Sequence, residues 1–138
     1  MTVPTLLRRA ENHALAGVML EGSVLDLGGG ARAEYHRFFP NAKFTTVNID
    51  EETKPDIVHD LEEPLPFANA SYDHALLINV LEHVYGAREL LRETARVVRP
   101  GGSAVIVVPF LFPLHPSPRD FWRWSEEALR RECEAAGL

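Results

Sequence analysis

The chain has 138 residues, enough for one domain with a sizeable core, and 46% of them are apolar. Its formal net charge of −6 works against a nucleic-acid or anionic-membrane partner, since both demand a dense basic face that the sequence lacks. The single cysteine, Cys133, cannot form an internal disulfide, which suits a reducing cytoplasm.

The first segment, interrupted by Arg8, Arg9 and Glu11, has neither a signal peptide's apolar run nor a membrane span. Leu6, Leu7, Ala10 and Ala14 recur at helical spacing, so residues 1–20 are expected to hold an amphipathic helix ending near Gly17. Val24–Leu27 reads as a short apolar strand, followed by a glycine turn and a helix over residues 31–39 that Pro40-Asn41 stops. Lys43–Ile49 is β-branched and aromatic, a strand ending on Asp50, and Ile57–His59 is a short third strand. LEEPLPFANAS is loop, and Tyr72–Asn79 is a fourth strand.

Gly86–Val98 predicts a one-sided surface helix, with Leu90, Leu91, Ala95 and Val98 inward and its charges in solvent. Arg99-Pro100-Gly101-Gly102 is expected to turn the chain into strand Ala104–Val108, which is apolar throughout like a buried parallel strand. An aromatic loop with prolines at 109, 113, 116 and 118 follows, and Ser125 caps a last helix that ends at Gly137. Strands alternating with helices predict an α/β fold, a mainly parallel sheet with helices on both faces and ligands at the carboxyl ends of its strands.

The stretch VLDLGGGARAEY poses a charge problem. Gly28-x-Gly30-x-x-Ala33 satisfies a dinucleotide-binding fingerprint, and Asp50, twenty residues after Gly30, could accept hydrogen bonds from two ribose hydroxyls. A pyrophosphate on that turn, however, would face the carboxylate of Asp26. A ligand bearing a sulfonium and an ammonium would be attracted instead, and S-adenosylmethionine has both as well as the ribose. The alternative is that Asp26 only hydrogen-bonds the backbone of its own turn.

LDLGGG, the acid of VNID, the LPF loop, SYDHALLINVLEHV and RPGG occur in the order found in class I S-adenosylmethionine-dependent methyltransferases. The sequence most resembles their small-molecule, type 11 group, over about Val24 to Leu138. The resemblance implies a Rossmann-like, doubly wound sheet in a single domain (residues 1–138, with the cofactor-binding core over 24–138). It implies Asp26, Gly28 and Gly30 at the methionine portion of the cofactor and Asp50 at the ribose. It also implies Asp60 and Leu61 at the adenine and Asn79 through its backbone carbonyl, with Leu81–His83 facing the site.

Two departures stand out. Arg32 replaces the usual third glycine, so its side chain either turns to solvent or meets the cofactor's carboxylate. The family's sheet normally continues with two more strands, whereas this chain stops at Ala136-Gly137-Leu138, so a C-terminally truncated domain is expected. Strand Ala104–Val108 would then be an open edge, a surface for a homodimer if the chain is not a fragment.

Methyl transfer needs no metal, and no His, Cys, Asp or Glu spacing in the sequence matches a zinc site or facial triad, so no metal is expected. A hydroxyl acceptor gains from a base, and His83, His115 and Asp120 are the catalytic candidates. His115 opens HxxPxDFWR, a spacing resembling a variant of the type 11 group whose relatives are often encoded near sugar and cell-surface glycan genes. There the imidazole, a carboxylate and a Trp-Arg pair could bind and deprotonate a polar acceptor. The other reading is a proline-stiffened loop whose Phe121, Trp122 and Trp124 plug the core. Glu62 and Glu63 either attract a cationic substrate or form a solvated loop. The expected function is methyl transfer to a small polar O- or N-nucleophile, including sugar or glycan precursors. An NAD-dependent oxidoreductase and a non-catalytic cofactor-binding remnant are its rivals.

Overall fold

In a computed structural model that describes residues 5–31, 33–116 and 119–138, the chain builds one five-stranded sheet in the order β3-β2-β1-β4-β5. The strands are β1 (Gly22–Leu27), β2 (Ala42–Asn48), β3 (Ile57–Val58), β4 (Tyr72–Ile78) and β5 (Val98–Val107), and every pairing is parallel. The order reverses beside β1, so the carboxyl ends of β1, β2 and β4 open onto a common crevice.

Strand alternation sorts the side chains onto two faces. Leu25 and Leu27 of β1 join Val47, Ala75 and Leu77 beneath α2 (Ala87–Val97), with Trp124 and residues of α3 (Glu126–Ala136) packed against them. Val24, Leu76 and Ile78 point the other way, onto Leu15 of α1 (Leu6–Ala16) and Phe39. Burial of these side chains, each worth about 1.5–3 kcal/mol, holds helices on both faces. The termini of α1 and α3 are capped locally. The Thr5 hydroxyl accepts the Arg8 amide, the Ser125 hydroxyl accepts the Ala128 amide, and Gly137 closes α3 at φ 93°. No helix among the described residues is long and apolar enough to cross a membrane.

Two local expectations fail. Among the described residues of 31–39 no α-helix forms, because the segment Glu34–Phe38 is a 3-10 turn whose Tyr35 and His36 fold inward onto Asp26. The RPGG turn lies inside β5 instead of before it. Tyr72 pairs with Val98 and His74 with Ser103, so residues 99–102 bulge out. Gly102 sits where a Cβ would lie 2.2 Å from the Asp73 carbonyl oxygen, and the Arg99 guanidinium holds the Asp73 carboxylate at 2.5 Å. The outer edge of β5 is unpaired among the described residues, as the sequence led one to expect.

Candidate active site

A cleft of about 850 Å³ opens at the carboxyl ends of the strands, and each strand from β1 to β4 contributes to it. Gly28 directly follows β1, Asn48 ends β2 with Asp50 just beyond it, Asp60 and Leu61 lie in the segment after β3, and Asn79 and Val80 follow β4. His83, Arg119 and Phe121 close one side.

The floor is fixed by close contacts. Gly28 adopts φ 91°, and a Cβ there would lie 2.6 Å from Val80 Cγ2. Its amide donates to Val47 O at 2.7 Å and its carbonyl accepts from Asn48 Nδ2 at 2.8 Å, tying the glycine turn to β2. Asp50 caps the 3-10 turn Glu51–Thr53 through Oδ1, which accepts the Glu52 amide at 2.9 Å, and its side chain is otherwise exposed to the cleft. Asp60 uses Oδ1 in the same way toward the Glu62 amide at 3.0 Å. Leu61, almost buried, offers an apolar surface beside it. Asn79 stands at φ 53°, its side-chain amide donating to Glu11 of α1 at 2.6 Å. Sequence reading missed Glu11, which reaches the site from the opposite end of the chain.

The structure sets Asp26 behind the glycine turn. As the second residue after Val24 it shares Val24's face of the strand, and it is wholly buried away from the cleft wall. Its oxygens lie 3.0 Å from the Tyr35 hydroxyl, which donates to them, and 2.6 Å from His36 Nε2. Burial and the Asp26 charge push the Tyr35 phenol far above its ordinary value. The carboxylate therefore braces the turn from behind, through side chains instead of the backbone bonds weighed above. Gly29 packs so closely on Asp26 that a Cβ would meet Oδ2 at 1.9 Å. Gly30 packs against Thr53, whose carbonyl oxygen a Cβ there would meet at 2.5 Å. Arg32 lies outside the described residues. The negative charge of the cleft comes instead from Asp50, Asp60 and Glu62, although both oxygens of Glu62 accept the Tyr85 and Gly86 amides before α2.

The aromatic loop crosses the cleft's rim. Phe121 donates its amide to Glu82 O at 2.7 Å, and Trp122 donates its indole N–H to Val84 O at 3.0 Å. These bonds bring His115 over His83, with ring centroids 4.9 Å apart and nearly perpendicular. Trp124 plugs the core, whereas the half-exposed Trp122 stacks on Tyr85 and Phe121 meets it edge-on.

Asp120 does not line the cleft either. Both its oxygens accept from Arg123, at 2.5 and 2.8 Å, and Oδ2 also accepts the His115 amide at 2.9 Å. The guanidinium, with that amide, holds its carboxyl far below the usual carboxylate range. With these donors in place Asp120 positions His115 and is ill suited to take a proton.

Beneath the two imidazoles lies Glu82, which is wholly buried. Apart from its own backbone N–H, no donor among the described residues reaches its carboxylate. Burial pushes this carboxyl upward, opposed by that N–H and by His83, His115 and Arg123. One ligand atom each from Glu82, His83 and His115 lies within 4.8 Å of the others, a grouping that the sequence spacing did not show. The set was hidden because His115 arrives from 32 residues away through the loop's bonds to the turn Leu81–His83. The adjacent Glu-His pair at the end of a strand was its only sequence signal.

Comparison with known proteins bears on the family and the fold. The O-methyltransferase rstn1 of Aspergillus nomiae is 42% identical over 62 residues, covering 45% of this chain and 28% of that protein. The chain spans less than a third of the length of the curated relatives it matches. A chain of the Haloferax volcanii complex containing the Trm112 methyltransferase activator superposes with a TM-score of 0.74 at 23% identity, covering 93% of this chain and 67% of that one. The Burkholderia thailandensis 1,6-didemethyltoxoflavin-N1-methyltransferase, solved with its substrate and S-adenosylhomocysteine, gives 0.68 at 20% identity, covering 95% and 65%. These likenesses show a class I, Rossmann-like methyltransferase fold. The methyltransferase domain family matches residues 25–106, more than half of the sequence, and the chain belongs to that family.

Proposed function

We propose that the chain binds S-adenosylmethionine in this cleft and takes part in transferring its methyl group to a small polar O- or N-nucleophile. The observation that carries the reading is the cleft's charge. Asp50 and Asp60 line it, and the first helical segment described after the glycines is only the 3-10 turn Glu34–Phe38. Asp50 suits the ribose of either cofactor. A pyrophosphate, however, would meet the added acids Asp60 and Glu62 and, among the described residues directly after the glycines, no α-helix N-terminus, which argues against the nicotinamide alternative. A sulfonium suits the same surroundings.

Asp50 stands where its free oxygen can accept ribose hydroxyls, and Asp60 with Leu61 offers an acceptor and an apolar face to an adenine. Gly28 lets the ligand approach bare backbone, and Asn79 places its carbonyl at the neighbouring strand end. Once bound, the cofactor would supply an electrophilic methyl carbon, and the chain's part is to hold the acceptor in line with it. The relatives named as O-methyltransferases support an oxygen acceptor, and a sugar or glycan precursor is one such class.

His83, at the cleft wall, and His115 above it form the acceptor side, where the cluster with Glu82 eases loss of the acceptor's proton. The charge balance and the half-buried Cys133 fit a cytoplasmic enzyme. The test is His115→Ala, with labelled S-adenosylmethionine and a panel of hydroxyl and amine acceptors. Cofactor affinity should stay within twofold while turnover falls by about 100-fold or more. Loss of cofactor binding in this variant would refute the acceptor-side placement, and cofactor binding without turnover on any acceptor would favour the remnant.

A further inference from the structure

We propose that Glu82, His83 and His115 form a binding site for a divalent first-row transition cation at the rim of the cleft. The argument starts from which nitrogen of each histidine carries its proton. His83 Nδ1 lies 2.5 Å from the backbone carbonyl of Arg119, an acceptor only, so Nδ1 is the N–H. His115 Nδ1 faces two acceptors, Pro113 O at 3.0 Å and Asp120 Oδ2 at 3.2 Å, so it too carries the proton. In the neutral form of each ring Nε2 therefore carries the lone pair, and both Nε2 atoms stand 3.7 Å from Glu82 Oε1. Three lone-pair atoms converge, with nothing between them to share.

Hydrogen bonding does not account for the spacing. At 3.7 Å neither gap is closed by a proton, whether it sits on the carboxyl or on an imidazole. Metal–ligand bonds of about 2.1 Å arranged tetrahedrally place neighbouring ligand atoms roughly 3.4 Å apart. Both histidines stand 3.7 Å from Glu82 Oε1, and the two imidazole ligand atoms lie within 4.8 Å of each other. Both oxygens of Glu82 lack a donor from any other described residue although the side chain is wholly buried. A cation supplies what such a carboxylate needs. The outer contacts match as well. Ligating imidazoles commonly donate their second N–H to a carbonyl or carboxylate, as His83 does to Arg119 and His115 to Pro113 and Asp120. Arg123, gripping Asp120, fixes that outer shell without entering the triad.

Two nitrogens and one carboxylate oxygen favour Zn²⁺, Co²⁺ or a similar ion over Mg²⁺ or Ca²⁺, which prefer all-oxygen sets. His83 lines the cleft, so a remaining coordination position faces the space where the acceptor would stand. On the methyl-transfer reading, an acceptor hydroxyl bound there would ionise nearer to neutral pH. Cation binding itself does not depend on that reading.

The experiment is a titration of the untagged, chelator-treated chain with Co²⁺ and with Zn²⁺, followed by d–d absorption and by calorimetry. One equivalent should bind at micromolar or tighter affinity, giving the intense visible bands of four- or five-coordinate cobalt. His115→Ala, on the loop, and Glu82→Gln, which keeps the buried shape, should each weaken binding by at least about tenfold, while His59→Ala should not. Circular dichroism verifies that each variant is folded. Absence of a bound equivalent in the wild-type chain, or equal affinity in folded His115→Ala and Glu82→Gln, would overturn the site. Cation binding without any response to S-adenosylhomocysteine would keep the metal site and count against the cofactor reading alone.

Discussion

Gly28→Ala probes the contact that sets the width of the cleft. At φ 91° the new Cβ incurs left-handed strain of roughly 1–2 kcal/mol. It would also lie 2.6 Å from Val80 Cγ2 and 2.9 Å from Val80 Cβ, well inside van der Waals separation, which adds about 1–3 kcal/mol of overpacking. The expected loss is about 2–5 kcal/mol in urea unfolding. Val80 is nearly buried, and Val80→Ala alone leaves a void at the cost of about 2 kcal/mol. In the double variant the Cγ2 clash disappears, while the 2.9 Å approach to the remaining Cβ at position 80 and the backbone strain stay. A double-mutant cycle should therefore show about 1–3 kcal/mol of favourable coupling. Additivity within about 0.5 kcal/mol, or a single Gly28→Ala variant as stable as wild type, would refute this account of the turn.

Asp50 separates two roles by substitution. Asp50→Asn retains the cap on Glu51–Thr53, while Asp50→Ala loses it and about 0.5–2 kcal/mol of stability. Asp50→Ala should weaken S-adenosylhomocysteine binding by about 1.5–3 kcal/mol, read by calorimetry, and Asp50→Asn by less; unchanged affinity in both removes the ribose from this position. Asp73, bonded first by the Ser23 amide and hydroxyl and then by Arg99, titrates at about 2, below its ordinary 3.8. Its contribution to stability is complete above about pH 4 and is lost as pH falls toward 2, so Asp73→Asn should flatten acid unfolding over that window. An unaltered acid limb in chemical denaturation would contradict that assignment.

The sheet was legible because its signals are local: apolar runs of strand length, most of them closed by Gly, Asp or Asn. Those same residues placed Gly28, Asp50, Asp60, Leu61 and Asn79 around one crevice, since a parallel sheet collects its strand ends there. What escaped notice depends on tertiary partners. The direction of Asp26 follows from strand parity and from Tyr35 and His36, whose inward folding replaces the expected helix. Glu62 looked like a free acid, yet the amides before α2 lie within its reach. Glu82 gave no sign of its isolation, because burial without a donor is a property of its neighbours. Its meeting with His115 required the aromatic loop to fold back over Leu81–His83, and no periodicity encodes that return.

The most direct test of the central claim is calorimetric titration of the purified chain with S-adenosylhomocysteine, with NADH as control. Micromolar binding of S-adenosylhomocysteine, with no heat from NADH, is the expected result for a cleft ended by Asp50 and Asp60. Binding of NADH alone would contradict the charge argument, and silence from both would contradict the assignment of this cleft to a cofactor.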